Sequence, residues 1–182
     1  MLELQRLRLD HESAVLAFEL ANRAYFARSI NDRGDAYYAE FAQQHRAALA
    51  DQEAGDALFH VLVDENGDVV GRFNLYDVAD GSAVVGYRLA ERVSGRGVAT
   101  AALRDLVRIA GAQYGLRELR AMTSFENVAS QRVLVKAGFI AVGPADVAGR
   151  PGVLYQLDLP ETRDPPDHTS ARFDDTAPHT DG

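Results

Sequence analysis

The sequence predicts a mixed α/β fold: a central mixed sheet of about seven strands, mostly antiparallel, with helices on both faces. Three strand-like runs (Ala57 to Asp64, Val69 to Asp77, Ala83 to Leu89) follow one another, and their connections carry the hairpin signals Asn66-Gly67 and Asp80-Gly81. The order then changes to helix, strand, helix, strand, strand. A strand-helix-strand passage across a Gly-rich turn makes the strands around Tyr87 and Leu119 parallel neighbours.

The elements follow in order. Leu2, Leu4, Leu7 and Leu9 begin with strand alternation and slip once, so the first strand is expected to carry an irregularity. Asp10 then caps a helix and Glu12 suits its first turn; Val15, Leu16, Phe18, Leu20, Tyr25 and Phe26 form its apolar stripe. Asn31-Asp32-Arg33-Gly34-Asp35 breaks it. A second helix runs from about Ala36 to Glu53, with Tyr38, Phe41, His45, Ala48 and Leu49 on one side. After the three central strands come a helix (Val98 to Gln113), a strand (Leu116 to Thr123), a helix (Ala129 to Ala137) and two strands, Phe139 to Val142 and Val153 to Leu159. Past that point stand Pro165, Pro166 and Pro178 among charges, with little apolar besides Phe173. Residues 1–159 are therefore expected to form one domain, and 160–182 a disordered, acidic, Pro-containing tail.

The chain has 182 residues, 47% apolar and 25% charged, which suits a soluble globular protein with a real core. No apolar run approaches the roughly 20 residues of a spanning helix, and the start of the chain lacks a basic region followed by an apolar stretch. The expectation is a cytoplasmic protein with no membrane partner. The absence of cysteine removes disulfides, thiolate metal ligands and a thiol nucleophile together. His11, His45, His60, His168 and His179 are scattered without a ligand spacing, so no metal is expected. The net charge of -8 argues against nucleic acid as a partner. Half of that charge lies past Pro160, where six acids face two arginines. The mildly acidic remainder suits a cationic substrate such as an amine, and is equally an ordinary solvated surface.

The most informative stretch is Ser94-Gly95-Arg96-Gly97-Val98-Ala99-Thr100, between a strand and a helix. Its glycines turn the backbone and hold no Cβ against a ligand, while the first N–H groups of the helix lack intrahelical partners. That is a layout for phosphate. About thirty residues on, Asn127-Val128-Ala129-Ser130 opens another helix, which stops at Lys136-Ala137-Gly138-Phe139. A dinucleotide fingerprint fits less well, because its third glycine is Thr100 and the motif follows two hairpins instead of opening the fold.

Taken together, strand, Gly-x-Gly-x-Ala-Thr, helix, strand, Asn-x-x-Ser, helix and Gly-Phe resemble the GCN5-related N-acetyltransferase (GNAT) family, and within it the Rim-type N-terminal acetyltransferases of ribosomal proteins. The resemblance covers Val69 to Leu159 well and Leu2 to Asp64 by its pattern of elements. It implies acetyl-CoA as co-substrate, with the pyrophosphate on the N–H groups of Gly95, Arg96, Gly97, Val98, Ala99 and Thr100. The pantetheine arm would lie along Tyr87, Arg88 and Leu89 as an added strand does. The family motif Q/R-x-x-G-x-G/A fits as Arg92-x-x-Gly95-x-Gly97 or as Ser94-x-x-Gly97-x-Ala99; Val98 and Thr100 favour the second, which sets Ser94 where the family has Gln or Arg. Arg96 is either a phosphate partner or an exposed arginine, and Lys136 either a phosphate partner or a cation at a helix end. Asn127 would cap its helix and also touch the pantetheine, and Ser130 would face the thioester. Gly138 ends that helix and Phe139 fills the core.

Acetyl transfer requires a neutral amine, a stabilised oxyanion and a proton for the departing thiolate. By resemblance, a strand N–H near Leu89 or Ala90 holds the oxyanion, at an irregularity of the strand. Many members assist the thiolate with a tyrosine at the position of Leu134, so the task falls to Ser130. Rim-like relatives often carry a glutamate where Val142 stands, and no base carries over; Asp77, Glu126 and Asp146 are substitutes by position or plain loop acids. At pH 7.5 a lysine of pKa about 10.4 costs roughly 4 kcal/mol to deprotonate, whereas an α-amine near 7.8 is about one-third neutral. The acceptor side falls to the first helix and the loop Ser29 to Asp35, with Glu19, Asn22 and Arg23 as candidate substrate contacts. The expected activity is direct transfer of acetyl from acetyl-CoA to a primary amine, a protein N-terminus or a small-molecule α-amine, by a monomer or homodimer. The alternative is a GNAT-fold module that senses coenzyme A or a peptide without catalysis.

Overall fold

The computed structural model of the chain describes residues 1–160. The tail expected from residue 160 onward thus lies, past Pro160, outside the described residues. The strands are β1 (Glu3–Arg6), β2 (Leu58–Val63), β3 (Val69–Ala79), β4 (Ser82–Leu89), β5 (Glu118–Ser124), β6 (Ile140–Val147) and β7 (Arg150–Asp158). The helices are α1 (Glu12–Ala21), α2 (Arg23–Phe26), α3 (Asp35–Ala39), α4 (Phe41–Ala54), α5 (Val98–Ala112) and α6 (Val128–Lys136). One seven-stranded sheet has the order β1-β2-β3-β4-β5-β7-β6. Every neighbouring pair is antiparallel except β4 and β5, the parallel pair expected around the Gly-rich turn.

That parallel pairing is short, and its shortness positions the site. It joins only Ser82–Val85 to Glu118–Ala121. Beyond it β4 stays on β3 as far as Leu89, and β5 stays on β7 as far as Ser124. The two strands therefore part company, and the sheet opens between residues 86–89 and 122–124.

Strand alternation assigns the two faces. His60, Phe73 and Tyr87 stand side by side in register. His60 meets Tyr114 just past α5, and Tyr87 meets Ser130 on α6, so this face carries α5 and α6. Arg72 and Arg88 occupy the other face, where Glu19 of α1 reaches both. Phe73, Leu75, Leu103, Leu106 and Leu119 are buried without residue in the core between α5 and the sheet. In α5, Ala102, Leu103, Leu106 and Ala110 form the buried stripe.

Several elements differ from expectation. Asp10 does not cap α1, whose N-cap is His11; it sits in a 3-10 turn (Leu9–His11) and pairs with Arg8 at 3.0 Å. The first helix breaks at Asn22 (φ -108°, ψ 6°), whose side-chain amide donates to the Phe18 carbonyl at 2.9 Å and whose oxygen accepts the Glu91 N–H at 3.1 Å. The second helix breaks at Glu40 (φ -104°, ψ 22°), giving α3 and α4. Strand β6, expected to stop at Val142, runs to Val147 through Pro144. It is the edge strand of the sheet, where a residue without an N–H removes no ladder bond on the open side.

Candidate active site

The mouth of the opening is the Gly-rich turn. Gly95 and Gly97 have φ of 75° and 77°, and a Cβ at either would meet nothing within 4 Å. Backbone conformation, and not crowding, demands glycine here. Gly97 is the N-cap of α5 and has no side chain with which to cap it. The first amide of the helix to find a carbonyl is that of Ala101, on Gly97 at 3.0 Å. Among the described residues the six amides from Gly95 to Thr100 have no acceptor. Ser94 is already engaged: its hydroxyl donates to the Ala90 carbonyl at 3.0 Å and accepts from Tyr25 Oη at 3.4 Å. The side chain at the Gln/Arg position of the motif therefore pins the loop, and the backbone is left for an anion.

Inside the opening lies a cavity of about 230 Å³ lined by Tyr25, Tyr87, Arg88, Leu89, Ser94, Gly95, Ala99, Asn127 and Ser130, together with Phe26, Ser29, Ile30, Ala129 and Val133. One wall is the free edge of β4. The Ala90 N–H bonds the Val70 carbonyl at 2.8 Å. Alternation then turns the Arg88 amide toward β3, and those of Tyr87 and Leu89 toward the vacant β5 side. Of the two amides expected to hold an oxyanion, Ala90 is spent and Leu89 has no partner among the described residues. No register shift occurs near Leu89; the shift in this hairpin falls between Tyr76 and Ala79. The free amide arises because β5 diverges, which corrects the expected strand irregularity.

The facing wall is the start of α6. Asn127 Oδ1 accepts the Ser130 N–H at 3.1 Å, capping the helix. Leu134, at the family's tyrosine position, is buried in the core. A different tyrosine takes the place beside Ser130: the Tyr87 hydroxyl lies 3.3 Å from Ser130 Oγ, its ring stacked on Phe73 at 5.4 Å and 5°. Burial pushes the Tyr87 phenol up, against the opposing effect of the Ser130 bond. Tyr87 thus stays protonated and donates to Ser130, leaving the Ser130 hydroxyl proton free. Sequence reasoning had placed Tyr87 only in the wall.

A second cavity of about 190 Å³ adjoins the first through Ile30, Tyr87 and Arg88, and adds Arg33, Arg72, Asn74, Tyr76 and Gly86. Among the described residues no carboxylate or imidazole lines either cavity. Asp77 is exposed at φ 50° in the β3 irregularity, Glu126 lies 3.8 Å from Arg150, and Asp146 accepts the Gly149 N–H at 2.8 Å in the β6–β7 turn.

Glu19, Asn22 and Arg23, the candidate substrate contacts, line neither cavity, and Arg23 borders a small adjoining hollow with Phe26, Arg33 and Arg88. Glu19 is fully buried and bonds Arg72 at 2.8 Å and Arg88 at 2.9 Å. Asn22 makes the joint between α1 and α2 described above. Arg23 binds Asp32 at 2.6 Å and Asp35 at 2.8 Å, and lies over the Tyr38 ring. Of the three, Glu19 holds residues that do line the cavities, Arg72 and Arg88. Arg96, Gly97 and Val98 border a separate hollow with Leu2 and Leu62, Thr100 lines none of these, and Lys136 faces away beside Arg132 and Tyr155. Sequence reasoning missed the arginine wall, although its signal was present: Arg72 and Arg88 are charges set among the apolar residues of two central strands.

Among the described residues no group of three or more histidines or acids is arranged to hold a metal, and no helix is long and apolar enough to cross a membrane. A family model described as an acetyltransferase (GNAT) domain matches residues 2–140. The probable N-acetyltransferase YjcK of Bacillus subtilis is 29% identical over 136 residues, 71% of this chain and 75% of that protein. The ribosomal-protein-S5-alanine acetyltransferase of Vibrio fischeri superposes with a TM-score of 0.80 at 18% identity, covering 86% of this chain and 92% of that one. Mycobacterium smegmatis RimJ, in complex with CoA-disulfide, superposes with a TM-score of 0.74 at 24% identity, covering 86% and 81%. With that family model matching most of its length, the chain belongs to the GNAT acetyltransferase family, and its fold is the one these structures share.

Proposed function

We propose that the protein is an acetyl-CoA-dependent N-acetyltransferase of the cytoplasm that transfers acetyl directly to an α-amine, the free amine of a small molecule or of a protein N-terminus. The observation that carries this reading is the line of six unpartnered amides at the mouth of an opening whose far end holds the Tyr87–Ser130 pair. The amides suit a pyrophosphate, and the free edge of β4 suits the amide-rich pantetheine arm. The complex of RimJ with CoA-disulfide makes coenzyme A the natural ligand to try first.

In this reading the amine nitrogen attacks the thioester carbonyl carbon, the C–S bond breaks, and the sulfur leaves as thiolate. The Leu89 N–H stabilises the oxyanion. Ser130, held by Tyr87, donates its hydroxyl to the departing sulfur. With no carboxylate or imidazole among the described residues of either lining, the proton lost by the amine passes to water, which selects an amine already partly neutral at physiological pH.

The test is thermal melting with acetyl-CoA, coenzyme A and NAD, followed by thiol release with a panel of amines. A ligand that binds only the folded state raises Tm by mass action. A shift with both coenzyme A species and none with NAD, then thiol release with α-amines, is the expected result. No shift at millimolar acetyl-CoA would end the reading.

A further inference from the structure

Arg72 and Arg88 stand directly opposite each other in the β3–β4 register, on one face of the sheet. Like charges so placed repel. Both are largely buried, and one carboxylate, that of Glu19, serves the two. Arg33 brings a third guanidinium to the same cavity, lying 4.5 Å over the Tyr37 ring. The nearby acids, Asp32 and Asp35, are both taken by Arg23 and line neither cavity. Two largely buried guanidiniums therefore meet a single buried carboxylate, a buried excess of one positive charge, and the exposed Arg33 adds a second at the rim.

Other features point the same way. Arg72 is 9% exposed, yet its Nε has no hydrogen-bond partner among the described residues. Tyr76 Oη accepts from Asn74 Nδ2 at 2.9 Å, so its own proton is free to donate. Gly86 leaves the space that the Tyr76 ring occupies, since a Cβ there would come within 2.9 Å of the ring. Burial, with Arg33 and Arg72 close by, draws the Arg88 guanidinium below its ordinary range despite Glu19. A buried positive excess ringed by unused donors is a site for an anion.

Resting on the acetyltransferase reading, we propose that the Arg33–Arg72–Arg88 cavity binds an anionic group of the acceptor, a carboxylate or phosphate carried close to the reacting amine. The cavity shares Tyr87 and Arg88 with the first one. Gly86 and Arg88 precede Leu89 by three residues and one, and strand residues are spaced about 3.3 Å apart. The anion and the amine thus belong to one compact acceptor: a free amino acid, a phosphorylated amino acid or a peptide with an acidic first residue. A polyamine is excluded by charge. The overall acidity of the chain, which suits a cationic substrate, misleads here because it resides elsewhere.

The experiment compares kcat/KM by thiol release, referred to the neutral fraction of each amine because a neighbouring anion raises the amine's pKa, for matched pairs: alanine against alaninamide, O-phosphoserinamide against serinamide, and a peptide beginning with Asp against one beginning with Asn. Spermidine is the cationic control. The anionic member of at least one pair is expected to be favoured about tenfold or more, mainly through KM, and the favoured pair identifies the source of the anion. In Arg33→Gln, an exposed-loop change that spares the core, that preference is expected to collapse toward one while the Tm response to coenzyme A persists. Arg72→Gln should act the same way if it folds. As a second readout, the favoured amine should raise Tm further in the presence of coenzyme A, and less so in Arg33→Gln. Neutral amines or spermidine used as well as anionic ones, or a preference untouched by Arg33→Gln, overturns the proposal. So does inactivity toward every anionic acceptor while coenzyme A still shifts Tm. Loss of the coenzyme A shift itself would instead remove the acetyltransferase reading.

Discussion

Replacing Glu19 by glutamine tests the charge arrangement on which the acceptor site depends. The carboxylate is fully buried and lies 2.8 Å from Arg72 and 2.9 Å from Arg88, two guanidiniums already opposed across β3 and β4. Glutamine keeps the shape and one acceptor oxygen but removes the one charge that, among the described residues, offsets them. Breaking a buried ion pair on one side costs about 3–5 kcal/mol, because the charges left behind have no compensation. At about 2–4 °C per kcal/mol for a chain of this size, Tm should fall by roughly 6–20 °C. The assay is equilibrium urea unfolding at pH 7 with a thermal scan beside it.

Two controls separate the electrostatic account from simple disruption of packing. Changing Glu19, Arg72 and Arg88 together to methionine should recover much of the loss, since apolar replacement of a whole buried ion cluster is often neutral or better. Added phosphate should restore the Glu19→Gln protein more than it stabilises the wild type, because the variant has one more unneutralised charge in a cavity open to anions. A loss under about 1 kcal/mol in Glu19→Gln would refute the reasoning, for it would mean that solvent already screens the two arginines.

Other consequences are sharp enough to measure. Ser130→Ala should lower kcat by about a hundredfold with little change in the KM for acetyl-CoA, and Tyr87→Phe by about tenfold; equal kcat in wild type and Ser130→Ala removes the hydroxyl from the chemistry. Gly97→Ala should cost about 1–2 kcal/mol in urea unfolding, since its φ of 77° strains any side chain although nothing stands in the way of a Cβ. A neutral effect there would mean that the turn relaxes. Burial holds the His60 imidazole down to about 4, against the opposing bond to the Phe73 carbonyl. The native state keeps His60 neutral while the unfolded chain takes up the proton near pH 6.5. Its contribution is therefore complete above pH 6.5 and is lost as pH falls toward 4, about 3 kcal/mol in all. Unfolding free energies of wild type and His60→Gln should converge over that window, and parallel curves would contradict the assignment.

What the sequence disclosed was whatever a few adjacent residues decide. Gly95 and Gly97 mark a turn with left-handed backbone, Asn127 marks a helix start, and Asn66-Gly67 and Asp80-Gly81 mark hairpins; each stands where it was expected. The seven strands and the parallel pair follow from those signals. What stayed hidden depends on how far elements run beside each other. Nothing in the sequence marks Val85 as the last residue of β4 to pair with β5, yet that end point opens the site. The breaks at Asn22 and Glu40 lack a proline or glycine; at Asn22 the break is held by a bond to Glu91, sixty-nine residues away. The opposition of Arg72 and Arg88 depends on the register of β3 against β4. The irregularity between Tyr76 and Ala79 offsets that register. Read singly, the two arginines are charges among apolar strand residues; only the register makes them a pair, and only the fold brings Glu19 between them.

The arginine wall and the missing base are two sides of one arrangement. Val142, the position at which the Rim-type resemblance implies a glutamate in many members, is half-exposed at an irregularity of the edge strand β6 and lines neither cavity. An amine bound beside Arg33, Arg72 and Arg88 gives up its proton more readily, because nearby positive charges disfavour the ammonium form. A bound carboxylate would cancel one of the two excess charges and leave the other acting on the amine. The same residues would then anchor the acceptor and keep its nitrogen neutral, the task a carboxylate base performs elsewhere. This has a direct kinetic sign. The acid limb of kcat against pH reports groups in the ternary complex. In Arg33→Gln, with one positive neighbour gone, the amine holds its proton to higher pH and the limb should move upward. A limb that stays in place, or moves to lower pH, would separate anion binding from amine activation and return the search to a base brought in through water.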